Sequence, residues 1–234
     1  MSNTNDFGFK ELEIGKTYSK WIFSILNPFI GKRIMEAGCG VGLMIENYLN
    51  KEFIIACDIN DNYIEVVKKR YVKIDKVNFL KLNIENLSKQ EIKSLIKIKL
   101  DTIISINVLE HIKNDRQAIV NFYKILPSQG HLLIFVPALP QIYGTIDEGF
   151  GHYRRYTKKE IELKIQEAGF KIREIRYFNF IGIFWWFIMG KIIKQKNLPK
   201  ATGFLLKMIV PLIQNIESII SIPVGQSLIV VAEK

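Results

Sequence analysis

The most chemically specific stretch of this 234-residue chain is Glu36-Ala37-Gly38-Cys39-Gly40-Val41-Gly42. Glycines at alternate positions leave a backbone without Cβ atoms, which an amino-acid moiety or a ribose can approach closely. A strand pattern precedes the loop and a helical pattern follows it, the context a nucleoside- or phosphate-binding loop requires. A dinucleotide loop reads Gly-x-Gly-x-x-Gly and would need a glycine at position 43, where this chain has Leu43. The shorter spacing suits a ligand with no pyrophosphate and disfavours a nucleotide-dependent oxidoreductase. Asp58, with Ile59 beside it, ends the next apolar run. A carboxylate there accepts hydrogen bonds from adjacent ribose hydroxyls, or it caps the helix that follows. Asn83 and Ile84 close the third run, where an amide meets the edge of an adenine ring and an aliphatic side chain packs on its face. Asn107 and Val108 follow the fourth run and would floor the same pocket.

A second concentration of reactive types runs from Tyr143 through Asp147, Glu148, His152, Tyr153, Arg154 and Arg155 to Tyr156. In the functional reading His152 is a general base or a substrate hydrogen-bonder, with Tyr153 beside it. Arg154 and Arg155 then pair an anionic group, and Tyr143 and Trp185 line the acceptor. In the alternative reading the arginines pair with Asp147 and Glu148 to pin a loop, and the tyrosines pack. His111 is a further candidate base at the pocket mouth, whereas His131 opens a strand and reads as structural. No group of His, Cys or carboxylates has metal-ligand spacing, so no metal is expected. Cys39 and Cys57 read as small packing residues.

The elements that must position these residues alternate in type. Arg33–Ala37, Phe53–Cys57, Val77–Leu82, Thr102–Ile106, Leu132–Val136, Ile172–Phe178 and Ser227–Ala232 read as strands. Val41–Leu49, Asp61–Ile74, Ser88–Ile98, a stretch opened by Asn114 and Gln117, and another opened by Thr157 and Glu160 read as helices. This predicts an α/β fold, a doubly wound, mostly parallel seven-stranded sheet with ligands at the C-terminal strand ends. Residues 1–32 form a helical cap, 33–178 and 227–234 the core, and 179–226 an apolar helical insert, all in one domain. In the insert Leu205, Ile209, Leu212, Ile216 and Ile219 mark one apolar helical face, which Pro211 should kink.

At these motifs the chain resembles the class I S-adenosylmethionine-dependent methyltransferases, particularly the bacterial small-molecule group. Glu36–Gly42 matches the family's first motif, Asp58 its ribose acid, and Val108-Leu109-Glu110-His111-Ile112 its fourth-strand motif. Leu126-Pro127-Ser128-Gln129-Gly130 resembles the Pro-Gly-Gly turn before the fifth strand, with Ser-Gln where glycine is common. Asn83 departs from the usual Asp at the adenine position, although an amide oxygen also accepts from the adenine amino group. The resemblance implies the Rossmann-like methyltransferase fold and S-adenosyl-L-methionine as cofactor. It implies methylation of an oxygen or nitrogen on a small-molecule or lipid-linked acceptor. The competing class is a catalytically silent, membrane-peripheral or interaction module that keeps the fold.

Charge and hydropathy separate the chain into two parts. The net charge is +10 and the mean hydropathy +0.11. Residues 1–150 hold 19 Lys/Arg against 17 Asp/Glu, and residues 151–234 hold 14 against 6. The basic third contains the uncharged run Tyr177–Gly190, fourteen residues and too short for a membrane-spanning helix. No nucleic-acid-binding motif accompanies the basic charge, so nucleic acid is not an expected partner. Phe184–Phe187 followed by Lys191, Lys194 and Lys196 suits a substrate lid, a peripheral membrane contact, or a helical cap buried against the sheet or a homodimer partner. The N-terminus lacks the basic start and apolar run of a secretory signal, so the chain reads as cytoplasmic, acting in solution or at the inner membrane surface.

Overall fold

Apolar runs rich in isoleucine and valine form strands, and the amphipathic stretches between them form helices. The computed structural model describes residues 9–195, 210–217 and 222–234. Strands β1 (Arg33–Ala37), β2 (Phe53–Asp58), β3 (Val77–Lys81), β4 (Thr102–Ile106), β5 (His131–Pro137), β6 (Lys171–Phe178) and β7 (Ser227–Glu233) make one sheet. Its order is β3-β2-β1-β4-β5-β7-β6. The first five strands pair in parallel, and β7 lies antiparallel between β5 and β6. The expected seven-stranded, mostly parallel sheet is therefore present.

Successive strand residues point to opposite faces, and both faces are covered. Met35, Ile55, Ile103, Ile134 and Val230 join one core with Phe122 and Ile161. Ile34, Ile54, Ile104, Phe135 and Ile229 join the other with Trp21, Ile22, Tyr48 and Val67. The helices are α1 (Phe9–Leu26), α2 (Asp61–Tyr71), α3 (Lys89–Lys97), α4 (Asp115–Ile125), α5 (Thr145–Phe150), α6 (Lys158–Glu167) and α7 (Phe180–Phe187), of which α1, α2, α3, α4 and α6 supply residues to these cores. Their starts follow local chemistry. Ser88 and Glu91 form a capping box, and Asn114 and Thr157 accept from the backbone N–H groups of Gln117 and Glu160 at 3.2 and 3.1 Å.

Two expectations are corrected. Val41–Leu49 is not a helix, and only Ile45–Tyr48 makes a 3-10 turn. Gly40 (φ +50°) and Gly42 (φ +77°) hold the chain in the left-handed region, so a helix cannot start until they are passed. Within the insert, residues 210–217 are helical, but Val210 and Ile213 face the core while Leu212 (65% exposed) and Ile216 (54%) face outward. The expected apolar stripe is thus turned away from the core at both described positions. Leu205, Ile209 and Ile219, and the chain that would show a kink before Val210, lie outside the described residues. The inward face is set instead by Glu217, which is buried and accepts the N–H groups of Asn179 (2.9 Å) and Phe180 (2.8 Å) at the start of α7. A carboxylate at a helix N-terminus satisfies donors the helix leaves open.

Helix α7 runs on through a π turn, Ile188–Ile192. It docks on α5 through small residues: a Cβ on Gly144 would stand 2.7 Å from the Gly190 carbonyl oxygen, and Thr145 Oγ1 donates to that oxygen at 3.0 Å. Its outer side leaves Phe180, Ile181, Phe184, Phe187, Ile188 and Ile192 exposed. Among the described residues no helix is long and apolar enough to cross a membrane.

Candidate functional site

The glycine loop leaves β1 and is tied at once to the end of β2. Gly38 and Cys39 both donate their N–H to the Cys57 carbonyl, at 2.8 and 2.9 Å. Gly38 has φ +77°, and a Cβ there would clash with Val108 Cγ2, so only glycine passes between the loop and the second residue after β4. Nothing stands within 4 Å of where a Cβ of Gly40 would be, which leaves an open face on the loop. Asp58 accepts from Gly40 N–H through Oδ2 (3.0 Å) and from Asn60 N–H through Oδ1 (2.9 Å). The carboxylate therefore shapes the loop, and each oxygen keeps a lone pair for a ribose hydroxyl. The cap of α2 is Asn60, whose side chain accepts from Asn62 N–H, rather than Asp58.

The remaining cofactor-side residues ring the same strand ends. Ile59 is 61% exposed and Ile84 is buried. The Asn83 side-chain oxygen accepts from the N–H groups of Glu85 (3.1 Å) and Asn86 (3.4 Å), which leaves its NH2 as the group to meet a base edge. Asn107 takes φ +52° and anchors its N–H to Phe135 O at 2.9 Å, turning the chain so that Val108 comes against Gly38. Glu36 sits one layer below the loop. It is buried and accepts from the Tyr48 hydroxyl. Burial pushes its carboxyl up to about 8, with Tyr48 pulling down and Asp58 adding to the rise.

The second cluster is organised around Asp147, which the sequence reading treated only as a partner for an arginine. Its side chain is fully buried on α5. Oδ1 meets His152 Nδ1 at 2.9 Å and Arg155 Nε at 2.8 Å, while Oδ2 accepts from Trp186 Nε1 (2.9 Å) and Gly144 N–H (3.0 Å). Burial alone would raise its pKa, but His152, Arg155 and Trp186 outweigh that and lower it. Arg155 is itself buried, donates to Ala138 O at 2.7 Å and lies over the Trp186 ring at 4.7 Å. Arg154 pairs with Asp115 at 2.9 Å and donates to Lys113 O. Both arginines are thus engaged within the fold, and Glu148 is not the partner of either. The insert residue that reaches the cluster is Trp186, not Trp185.

His152 is held on several sides. Tyr143 donates its hydroxyl to His152 O at 2.7 Å, and the Phe150 ring stacks on the imidazole at 5.9 Å. His111 lies edge-to-face with it, centroids 4.7 Å apart, so the two histidines named as candidate bases are neighbours. Burial, then the charge of His152, lowers the pKa of His111. Tyr153 is 52% exposed and donates its N–H to Glu110 O at 2.8 Å. Glu110, buried and pushed up to about 8 by that burial, faces both imidazoles. The sequence offered no reason to single out Glu110 or Trp186 beyond their motifs, because their partners are dozens of residues away.

Comparison with known proteins agrees with this layout. Residues 35–132 match the family model described as a methyltransferase domain. No curated protein matches the sequence. Among solved structures, the N-methyltransferase NodS of Bradyrhizobium japonicum WM9, determined with S-adenosyl-l-homocysteine, is 14% identical with a TM-score of 0.60, over 100% of this chain and 93% of that one. A SAM-dependent methyltransferase from Archaeoglobus fulgidus is 18% identical with a TM-score of 0.58, over 97% and 100%. The [4+2]-cyclase SpnF has a TM-score of 0.61 at 13% identity, over 94% and 80%, so the shared fold by itself names no acceptor. The strand order and the likeness to these structures show the fold that class I S-adenosylmethionine-dependent methyltransferases have, and residues 35–132, which hold the glycine loop, match a methyltransferase domain.

Proposed function

We propose that the protein transfers a methyl group to an oxygen or nitrogen of a small-molecule or lipid-linked acceptor held between the glycine loop and the His152 cluster. The observation that carries this reading is that Val108, pressed on Gly38, is followed two residues later by Glu110 and His111, which meet His152. Donor loop and proton-handling groups therefore share one strand-end edge. Gly38, Cys39, Gly40 and Gly42 would cradle the amino-acid end of S-adenosylmethionine, Asp58 its ribose, and Ile59, Asn83, Ile84, Asn107 and Val108 its base and floor. When bound, this cofactor supplies a methyl already made electrophilic by its sulfonium. The protein's task is alignment of the acceptor and, where the acceptor holds its proton tightly, removal of that proton. His152, oriented by Asp147, is positioned for the second role, with His111 and Tyr153 beside it. Tyr143 steadies His152, and Arg154 and Arg155 shape the wall.

The acceptor's apolar character is supported by the insert. The outward side of α7 is aromatic and aliphatic, and Lys191 and Lys194 are exposed at its end. That composition suits contact with an anionic lipid surface from which a lipid-linked acceptor is taken. Radiolabelled methyl transfer to aqueous and lipid-extracted lysate fractions tests the whole reading. Label entering the lipid fraction with the native protein, and lost with Gly40→Asp, is the expected result. A protein that takes up NADH and ignores S-adenosylhomocysteine would overturn it.

A further inference from the structure

Among the described residues, the buried side-chain polar atoms without a hydrogen-bond partner belong to Ser105 and to Glu110, whose two carboxylate oxygens are both orphaned. Leaving a buried acceptor unpaired is costly, and more so for a carboxylate, so a pair of orphan oxygens calls for a ligand. Glu110 is 0% exposed and its Oε1 stands 4.0 Å from His152 Nε2. His111 follows it directly, and one donor atom from each of Glu110, His111 and His152 lies within 4.8 Å of the others.

The second ring nitrogen of His152 completes the pattern. Nδ1 is engaged by the buried Asp147 carboxylate at 2.9 Å, which turns Nε2 toward Glu110. Metal-bound histidines are oriented in this way by a carboxylate behind them. Asp147 takes the Arg155 ion pair at 2.8 Å, so among the described residues no lysine or arginine pairs with Glu110, and a bound cation would take the place of its proton. Two imidazoles and one carboxylate suit first-row transition ions and not magnesium or calcium, which take oxygen ligands. Three protein ligands also leave a coordination position open.

We propose that Glu110, His111 and His152 form a binding site for one divalent transition-metal ion of the zinc type, with Asp147 positioning His152. Ligands about 2.0–2.2 Å from zinc stand roughly 3.4 Å apart in a tetrahedron, so the three donors close by small side-chain rotations. Glu110 and His111 lie on the 3-10 turn Leu109–His111, and His152 follows Gly151, which has φ +77°. Spacing along the chain hides the site, because His152 is 41 residues beyond His111 and joins it only through the fold. If the methyl-transfer reading holds, the open position would take an acceptor oxygen and lower its proton affinity, as such ions do for bound water, and with the ion bound this replaces proton removal by His152 or His111. Cation binding itself does not depend on that reading.

The test uses the full chain freed of metal with a chelator, then titrated with Co2+ by visible absorption and with Zn2+ by calorimetry. One equivalent of each, with cobalt bands of a four- or five-coordinate nitrogen–oxygen site, is expected. Glu110→Gln, His111→Asn and His152→Asn should each abolish the bands or weaken binding at least tenfold, and Asp147→Asn should weaken it about 10–100-fold. Cys39→Ala/Cys57→Ala should leave uptake unchanged. No stoichiometric uptake by the native chain, or native-like uptake by the three ligand variants, overturns the site. Should Glu110→Gln or Asp147→Asn fail to fold, His111→Asn, whose side chain borders solvent, decides alone. Loss of S-adenosylhomocysteine binding with cobalt uptake intact would count against the methyl-transfer reading and leave the metal site standing.

Discussion

The glycine loop and the His152 cluster stand at the same edge of the sheet but satisfy their polar groups differently. Around the loop, partners are close in sequence or on adjacent strands: Gly38 and Cys39 use Cys57 O, Gly40 uses Asp58, and Asn60 caps its own helix. Around Asp147, partners come from α5, the loop after it, and α7, and the neighbouring Glu110 carboxylate is left without a hydrogen bond. The first region is held by short backbone hydrogen bonds and the close approach of Val108 to Gly38, which glycine permits. The second is held by one buried carboxylate on which several donors converge.

That contrast breaks most visibly at Asp147. Asp147→Ala leaves Arg155 buried without its counter-charge and unties His152 and Trp186, which should cost about 3–5 kcal/mol of stability. A urea titration that shows less than about 1 kcal/mol would mean the cluster does not depend on this carboxylate. Gly38→Ala comes next, since the new Cβ strikes Val108 and the backbone is strained at φ +77°. We expect a loss of about 1–3 kcal/mol and a large drop in S-adenosylhomocysteine affinity. Adding Val108→Ala should recover part of both by removing the clash and not the strain. Equal behaviour of single and double variants would show that the close approach is not what demands glycine there.

The buried acid beneath the loop supplies a pH signature. Glu36 holds its proton up to about pH 8 in the folded protein and to about 4.5 once unfolded. Between those values the native state binds the extra proton, so stability falls as pH rises, at up to about 1.4 kcal/mol per unit. Below about 4.5 and above about 8 this contribution is flat. Glu36→Gln should remove its own part of the fall of Tm across pH 5–8 and leave the like part owed to Glu110, and an unchanged profile would place the titration elsewhere. The smallest stability effect is expected on the outer face of α7. Phe184→Ser with Ile192→Ser should change stability by about 0.5 kcal/mol or less, because both are exposed, yet reduce co-sedimentation with anionic vesicles. A clear loss of stability would mean that this face is covered within the folded chain.

Legibility in the sequence tracks the range of the interaction. Ser88, Asn114 and Thr157 were readable as helix starts because a cap reaches only three residues. The helix expected over Val41–Leu49 failed at Gly40 and Gly42, whose positive φ overrides the apolar spacing. The outward turn of Leu212 and Ile216 was not readable either, since Glu217 reaching back to Asn179 and Phe180 sets which side of that helix faces in. Nor could the run Phe184–Phe187 show which tryptophan reaches Asp147, because that depends on how α7 sits on Gly144 and Thr145.

By itself the sequence determined the strand–helix alternation, the glycine loop with its acid at Asp58, and the division between a nearly neutral cofactor part and a basic, apolar remainder. Those are properties of period, φ freedom and composition, carried by neighbours along the chain. The tertiary structure alone decided that Glu110, His111 and His152 meet, that Asp147 gathers Arg155 and Trp186, and that α7 shows its apolar side outward. Each depends on where separate strand ends and helices come together, a distance in space that spacing along the chain does not encode.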